Sequence, residues 1–116
     1  MFAKDYQRVS IIQLIGNPDR YEGLEVRVSG YLVIKREGDA LYLSKEHSDH
    51  SLSENALWIN LSNKEADQWE SFSHSYVTIY GEFSSSQKGH GSLFSGELKE
   101  IFKIYQIPNT KLQRTN

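Results

Sequence analysis

Residues 24–35 read Leu-Glu-Val-Arg-Val-Ser-Gly-Tyr-Leu-Val-Ile-Lys, and they constrain the fold more than any other stretch. Val26, Val28, Leu32 and Ile34 share one parity, while Glu25, Arg27, Ser29 and Lys35 share the other. Strict alternation is the pattern of a strand with one face in a core and one in solvent. Gly30 interrupts the apolar parity. A glycine there weakens a strand unless the strand bends or another backbone comes close. A long strand that bends at a glycine is what a small barrel needs to turn its corner.

The rest of the chain supplies four more strands. A Glu37-Gly38-Asp39 turn leads to a second strand at 40–44. Residues 45–54 are a polar loop, and 56–61 form a third strand with Leu57, Ile59 and Leu61 inward. Residues 63–72 predict a short helix, with Asn63 as cap and Ala66, Trp69 and Phe72 as its apolar stripe. The fourth strand, 76–83, places Val77, Ile79 and Phe83 on one face, with Gly81 at a second bend. After a Ser/Gly loop at 84–96 comes a fifth strand at 98–107. Ile101, Phe102 and Ile104 break its parity, which predicts a bulge. Ahead of the first strand, Ser10 caps an apolar helical pattern (Ile11, Ile12, Leu14, Ile15), which Gly16-Asn17-Pro18 stops.

Five strands, a helix between the third and fourth, and two bend glycines predict a mainly β, OB-like five-stranded barrel. The short N-terminal helix would plug one end. The competing arrangement is an open sheet packed on two helices. The expected core comprises Val26, Val28, Leu32, Ile34, Leu57, Ile59, Leu61, Val77, Ile79 and Ile104. At 116 residues, 38% hydrophobic and 12% aromatic, the chain is read as one domain over residues 1–108 with a polar tail at 109–116.

The run from Leu14 to Leu32 resembles the opening of small stand-alone bacterial OB-fold proteins. Asn17-Pro18, Tyr21, Gly23, Val26, Val28 and Gly30 carry the likeness, and Leu24 departs from it where such proteins often have Lys. Ala40-Leu41-Tyr42-Leu43-Ser44-Lys45-Glu46 and Asn55-Ala56-Leu57-Trp58-Ile59 are similar to later segments of the same proteins. The resemblance implies a fold for roughly residues 10–105 and is almost silent on function.

Several functional classes find little support. There is no cysteine, so neither a disulfide framework nor a thiolate metal site can form. No apolar run approaches the length of a membrane span. The opening residues Met1 to Tyr6 carry an early acid and no long apolar core, unlike a secretory signal, and a cytoplasmic setting is expected. His47, Asp49 and His50, even with His74 and His90, lie in polar loops without visible support, so no metal or other cofactor is expected. Ser44, Ser84 and His90 make no recognisable nucleophile setting, and Gln87-Lys88-Gly89-His90-Gly91-Ser92 lacks the strand–loop–helix context of a phosphate loop. No catalytic residue is assigned, and the chain is read as non-enzymatic.

Aromatic residues are the better signal. Tyr42 and Trp58 occupy the outward parity of the second and third strands, as Tyr31 and Tyr80 do on the first and fourth. That outer face is where OB folds bind ligands. Such rings either anchor a partner or pack beneath loops. Residues 37–70 hold eight acids against two bases, whereas the segments on either side each carry an excess of two bases. Phosphates would be repelled from a face set in that acidic block. The expected function is therefore binding of a basic protein, of the kind a bacterial immunity protein makes when it caps a basic toxin such as a nuclease. The contacts would come from Tyr42, Trp58, Glu46, Asp49, Glu54, Glu65, Asp67 and Glu70. The alternative is an oligonucleotide- or oligosaccharide-binding OB domain.

Overall fold

The structure is a computed structural model that describes residues 5–35, 38–85 and 93–108. The chain opens with a two-residue strand, β1 (Gln7–Arg8), and two short helices, α1 (Ile11–Gly16) and α2 (Pro18–Tyr21). Then come β2 (Glu25–Val33), β3 (Ala40–Tyr42), α3 (Lys45–Asp49), a 3-10 turn (Ser53–Asn55) and β4 (Leu57–Ile59). Helix α4 (Asn63–Trp69) runs into a second 3-10 turn (Glu70–Phe72), and the long strands β5 (Ser75–Ser84) and β6 (Glu97–Gln106) complete the fold. The five expected strands are β2 to β6.

They form a ring in the order β2-β3-β4-β6-β5, closed by pairing of β2 with β5. β4 and β6 run parallel, and every other neighbouring pair in the ring is antiparallel. This is an OB-like closed barrel. Strand β1 adds to the edge of β2 in parallel, with Arg8 beside Arg27.

The two bend glycines have distinct steric reasons. A Cβ on Gly30 would lie 2.6 Å from the Tyr42 carbonyl oxygen and 3.0 Å from Ile11 Cδ1, so the strand, its neighbour and the helical plug meet there. A Cβ on Gly81 would lie 2.9 Å from the Lys99 carbonyl oxygen. Gly81 faces the bulge: the step from Tyr80 to Glu82 on β5 spans Lys103 to Lys99 on β6. Glu100, inside that bulge, has a left-handed φ of 50°. The break in parity on the fifth strand thus has the predicted cause.

The interior contains Val26, Val28, Leu32, Leu57, Ile59, Val77, Ile79 and Ile104, with Ile34 and Leu61 packed at its margin, as the strand parity requires. Ile11 and Leu14 of α1 join them and close one barrel end. Ser10 and Gln13 form a reciprocal capping box that fixes the start of that plug.

Two local expectations change. Residues 45–54 are not simply a loop: Ser44 accepts from the His47 amide and nucleates α3. The cap of α4 is Ser62 rather than Asn63, because Glu65 completes a capping box with Ser62. The pairing of β1 was not legible, since two residues are too few for a period. Residues 1–4, Glu37 of the expected turn, the Gly-rich stretch 86–92 with His90, and the tail 109–116 lie outside the described residues. Among the described residues no helix is long and apolar enough to cross a membrane.

Candidate functional site

Two outer faces of the barrel carry aromatic side chains, and they differ. On the face of β3 and β4, Tyr42 is only 7% exposed and Trp58 is half-buried. Tyr31, Val33, Ala40, Tyr42, Ala56 and Phe94 make a second apolar cluster, with Trp58 packed on it. The covered arrangement is therefore the one adopted, and Tyr42 is an interior residue rather than an open anchor. Burial raises the Tyr42 phenol above its ordinary pKa. The cover is the segment just before β6. Phe94 lies 5.7 Å from the Trp58 ring, the Ser95 amide donates to Ala56 O, the Ser95 hydroxyl donates to Glu54 O, and the Trp58 amide donates to Gly96 O. Glu97, on the same strand, is 3% exposed and its Oε1 has no hydrogen-bond partner among the described residues.

Trp58 keeps one open side. It lines a cleft of about 1020 Å³ with Ile34, Lys35, Gly38, Asp39, Leu61, Asn63, Ala66, Asp67 and Glu70. Among the described residues, three carboxylates face one ammonium there. Asp39 accepts from the Lys35 amide, yet partial burial still lifts its carboxyl above the ordinary aspartate value. Asp67 and Glu70 are exposed on α4 and its extension, without an ion-pair partner among the described residues.

The eight residues singled out from sequence are thus divided. Trp58, Asp67 and Glu70 converge on one cleft, and Asp39, which sequence reasoning missed, joins them. Glu65 belongs to the same helix, but one of its oxygens is occupied by the Ser62 amide. Glu46, Asp49 and Glu54 do not line the cleft. Asp49 pairs with Lys45 at 2.9 Å, which holds the Lys45 ammonium above its ordinary value. His47 Nδ1 is 2.9 Å from the Ser44 hydroxyl. Among the described residues no three histidine, aspartate or glutamate side chains converge as a metal site.

The face of β2, β5 and β6 lies open. Cross-strand register sets Arg8, Arg27, Tyr80 and Lys103 in one row. Ser29, Thr78 and Tyr105 make the next, with the two hydroxyls of Ser29 and Thr78 at 2.7 Å. The rings form a ladder: Phe102 stacks on Tyr6 at 5.7 Å, Tyr6 meets Tyr80 edge-on at 5.4 Å, and Tyr80 meets Tyr105 edge-on at 5.6 Å. Phe102 is 65% and Tyr105 51% exposed. Of these residues only Tyr80 had been marked as an outward aromatic. The β6 bulge obscured the parity of Phe102, and Tyr6 lies ahead of every strand predicted from the sequence.

No protein-family model matches the sequence, and no curated protein matches it. Among solved structures, the fold is similar to a DUF3299 family protein from Pseudomonas aeruginosa, with a TM-score of 0.57 at 9% identity over 91% of this chain and 99% of that one. It is also similar to part of a Leishmania major chain described as an aspartyl-tRNA synthetase, with a TM-score of 0.50 at 11% identity over 91% of this chain and 21% of that one. At these identities the likeness is one of fold alone: a small closed five-stranded barrel.

Proposed function

We propose that the chain is a non-enzymatic binding module that grips a basic protein surface in the cleft beside Trp58. The observation that carries this reading is the half-buried Trp58 set among Asp39, Asp67 and Glu70, with Lys35 the cation of the lining among the described residues. An arginine or lysine of the partner laid over the indole would gain a cation–π contact and nearby counter-charges at once. Ile34, Leu61 and Ala66 supply apolar surface for its stem. Glu46 and Glu54, exposed outside the cleft, add to the attractive field that speeds encounter. The finer form of the proposal is a cytoplasmic bacterial immunity protein that caps a basic toxin such as a nuclease. Size and acidity support it by analogy.

The test uses an Arg/Gly repeat peptide as the cationic probe and a Glu/Gly peptide of equal length as control. Work in a Trp69→Phe background leaves Trp58 as the only indole. Saturable quenching by the cationic peptide alone is expected. Trp58→Ala should mainly speed dissociation, and Asp67→Lys/Glu70→Lys should mainly slow association and flatten its salt dependence. Equal binding of the acidic peptide, or indifference to both variants, would reject the cleft as the site. Rescue of growth on co-expression with a basic toxin domain tests the immunity form.

A further inference from the structure

On the open face, Arg8 and Arg27 are register partners on adjacent strands. Like charges set side by side on a sheet repel one another. Both residues are exposed, and neither has a carboxylate partner among the described residues. The row continues through Tyr80 to Lys103, whose ammonium stands 5.3 Å from the centre of the Tyr105 ring. Three cations and an aromatic ring therefore span four strands, roughly 14 Å at ordinary strand spacing.

The row borders a groove of about 680 Å³ between the start of α1 and the end of β6. Arg8, Arg27, Ser29, Thr78, Tyr80 and Tyr105 line it, and among the described residues no acidic side chain does. The acids of this face lie in the adjoining row on the side away from the groove, where Glu25 is the register partner of Glu82 and Lys99 stands 4.0 Å from Glu82. The charge therefore changes sign between adjacent rows, and the cationic row is the one that borders the groove. An acidic protein would satisfy the charge, but its interface needs an apolar centre. Here, among the described residues, only Val9, Ile107 and Pro108 of the lining are aliphatic. Guanidiniums alternating with hydroxyls and tyrosine rings match a ligand that alternates phosphates, sugars and planar bases.

We infer that this face of β2, β5 and β6 is a binding site for single-stranded nucleic acid, with phosphates on Arg8, Arg27 and Lys103 and a base against Tyr105. The site is separate from the Trp58 cleft and does not rest on the reading of that cleft. The repulsion expected of an acidic block applies to residues 37–70, and none of the groove residues belongs to that block.

The probe is a fluorescein-labelled oligothymidylate of about ten nucleotides, within the usual site size for a fold of this kind. Anisotropy should show salt-sensitive binding by the wild type. Arg8→Gln/Arg27→Gln should weaken it at least about tenfold at low salt and reduce the slope of log K against log salt by about 0.7 per arginine. Tyr105→Ala should weaken it several-fold while leaving that slope unchanged. Asp67→Lys/Glu70→Lys, in the other site, should abolish neither effect, so the two readings fail separately. All the substituted side chains are exposed, and circular dichroism of each variant is the check that it folds. No binding by the wild type at low salt would overturn the proposal. So would binding indifferent to the arginines, binding of duplex DNA just as tight with no dependence on Tyr105, or a concentration-dependent dimer broken by Arg8→Gln/Arg27→Gln, which would make the face a contact between copies.

Discussion

The outer face of β3 and β4 and the outer face of β5 and β6 start from the same pattern, aromatic residues on the outward parity of barrel strands, and end in opposite states. On the first, Tyr42 and Phe94 are buried and Trp58 is half-covered. On the second, Phe102 and Tyr105 stand in solvent. The neighbours explain the difference. Ala40 and Ala56 flank the covered rings, and their small side chains let the backbone at Ser95 and Gly96 come within hydrogen-bonding distance of Ala56 and Trp58. On the open face, Arg27 and Lys103 flank Tyr80. A segment laid over them would strip two cations of water without replacing that hydration. Strand parity separates inside from outside, and the size and charge of the flanking residues separate covered from open.

Removing the cover should have the largest effect. Phe94→Ala is expected to cost about 3 kcal/mol, within the range for truncating a buried phenylalanine, and to shift Trp58 emission to the red as water reaches the ring. Urea melts and emission spectra check both. A loss below about 0.5 kcal/mol with unchanged emission would mean that the face is not held shut by that ring.

The next effect is electrostatic and smaller. Asp39 sits at the rim of the covered side, and burial raises its carboxyl pKa above the ordinary 3.8. The folded state therefore holds the Asp39 proton to higher pH than the unfolded chain does. Its contribution to stability is fully present below about 3.8 and is lost as pH rises through the higher folded value. Asp39→Asn should accordingly be more stable than the wild type near neutrality, by about 0.5 kcal/mol or less given its partial exposure, and the gap should close in acid. A gap that widens in acid would reverse the assigned sign.

The smallest effect belongs to the open side. Phe102→Ala should change stability by no more than about 0.5 kcal/mol, because the ring loses little buried surface. Thermal melts of Phe94→Ala and Phe102→Ala, run side by side, measure the contrast between the faces directly. Equal losses would show that the stack of Phe102 on Tyr6 is structural and that the second face is less open than its exposure implies.

Much of the barrel was legible before any coordinates. Val26, Val28, Leu32, Leu57, Ile59, Val77, Ile79 and Ile104 could be placed inside because a strand repeats every two residues. Gly30 and Gly81 could be marked as bends, and Ile101-Phe102 as a bulge, because each breaks that period. The candidate sites were only partly legible. Trp58 and the acids of α4 were visible as types and spacings. Their separation from Glu46, Asp49 and Glu54 depends on Ser44 starting a helix, a capping interaction readable only as a weak Ser-x-x-His signal. Asp39 was assigned to a turn and not to the cleft.

The sequence by itself determined the class of fold, the inward residues and the sign of charge along the chain, since these follow from local period and composition. Tertiary structure decided which outward rings are covered and which side chains share a face. Arg8, Arg27, Tyr80 and Lys103 are spread over nearly the whole chain, and only the register of β1, β2, β5 and β6 sets them in one row. Local pattern carries no information about register between strands so far apart. It is settled by closure of the ring, in which every backbone hydrogen bond and every inward side chain must be satisfied together.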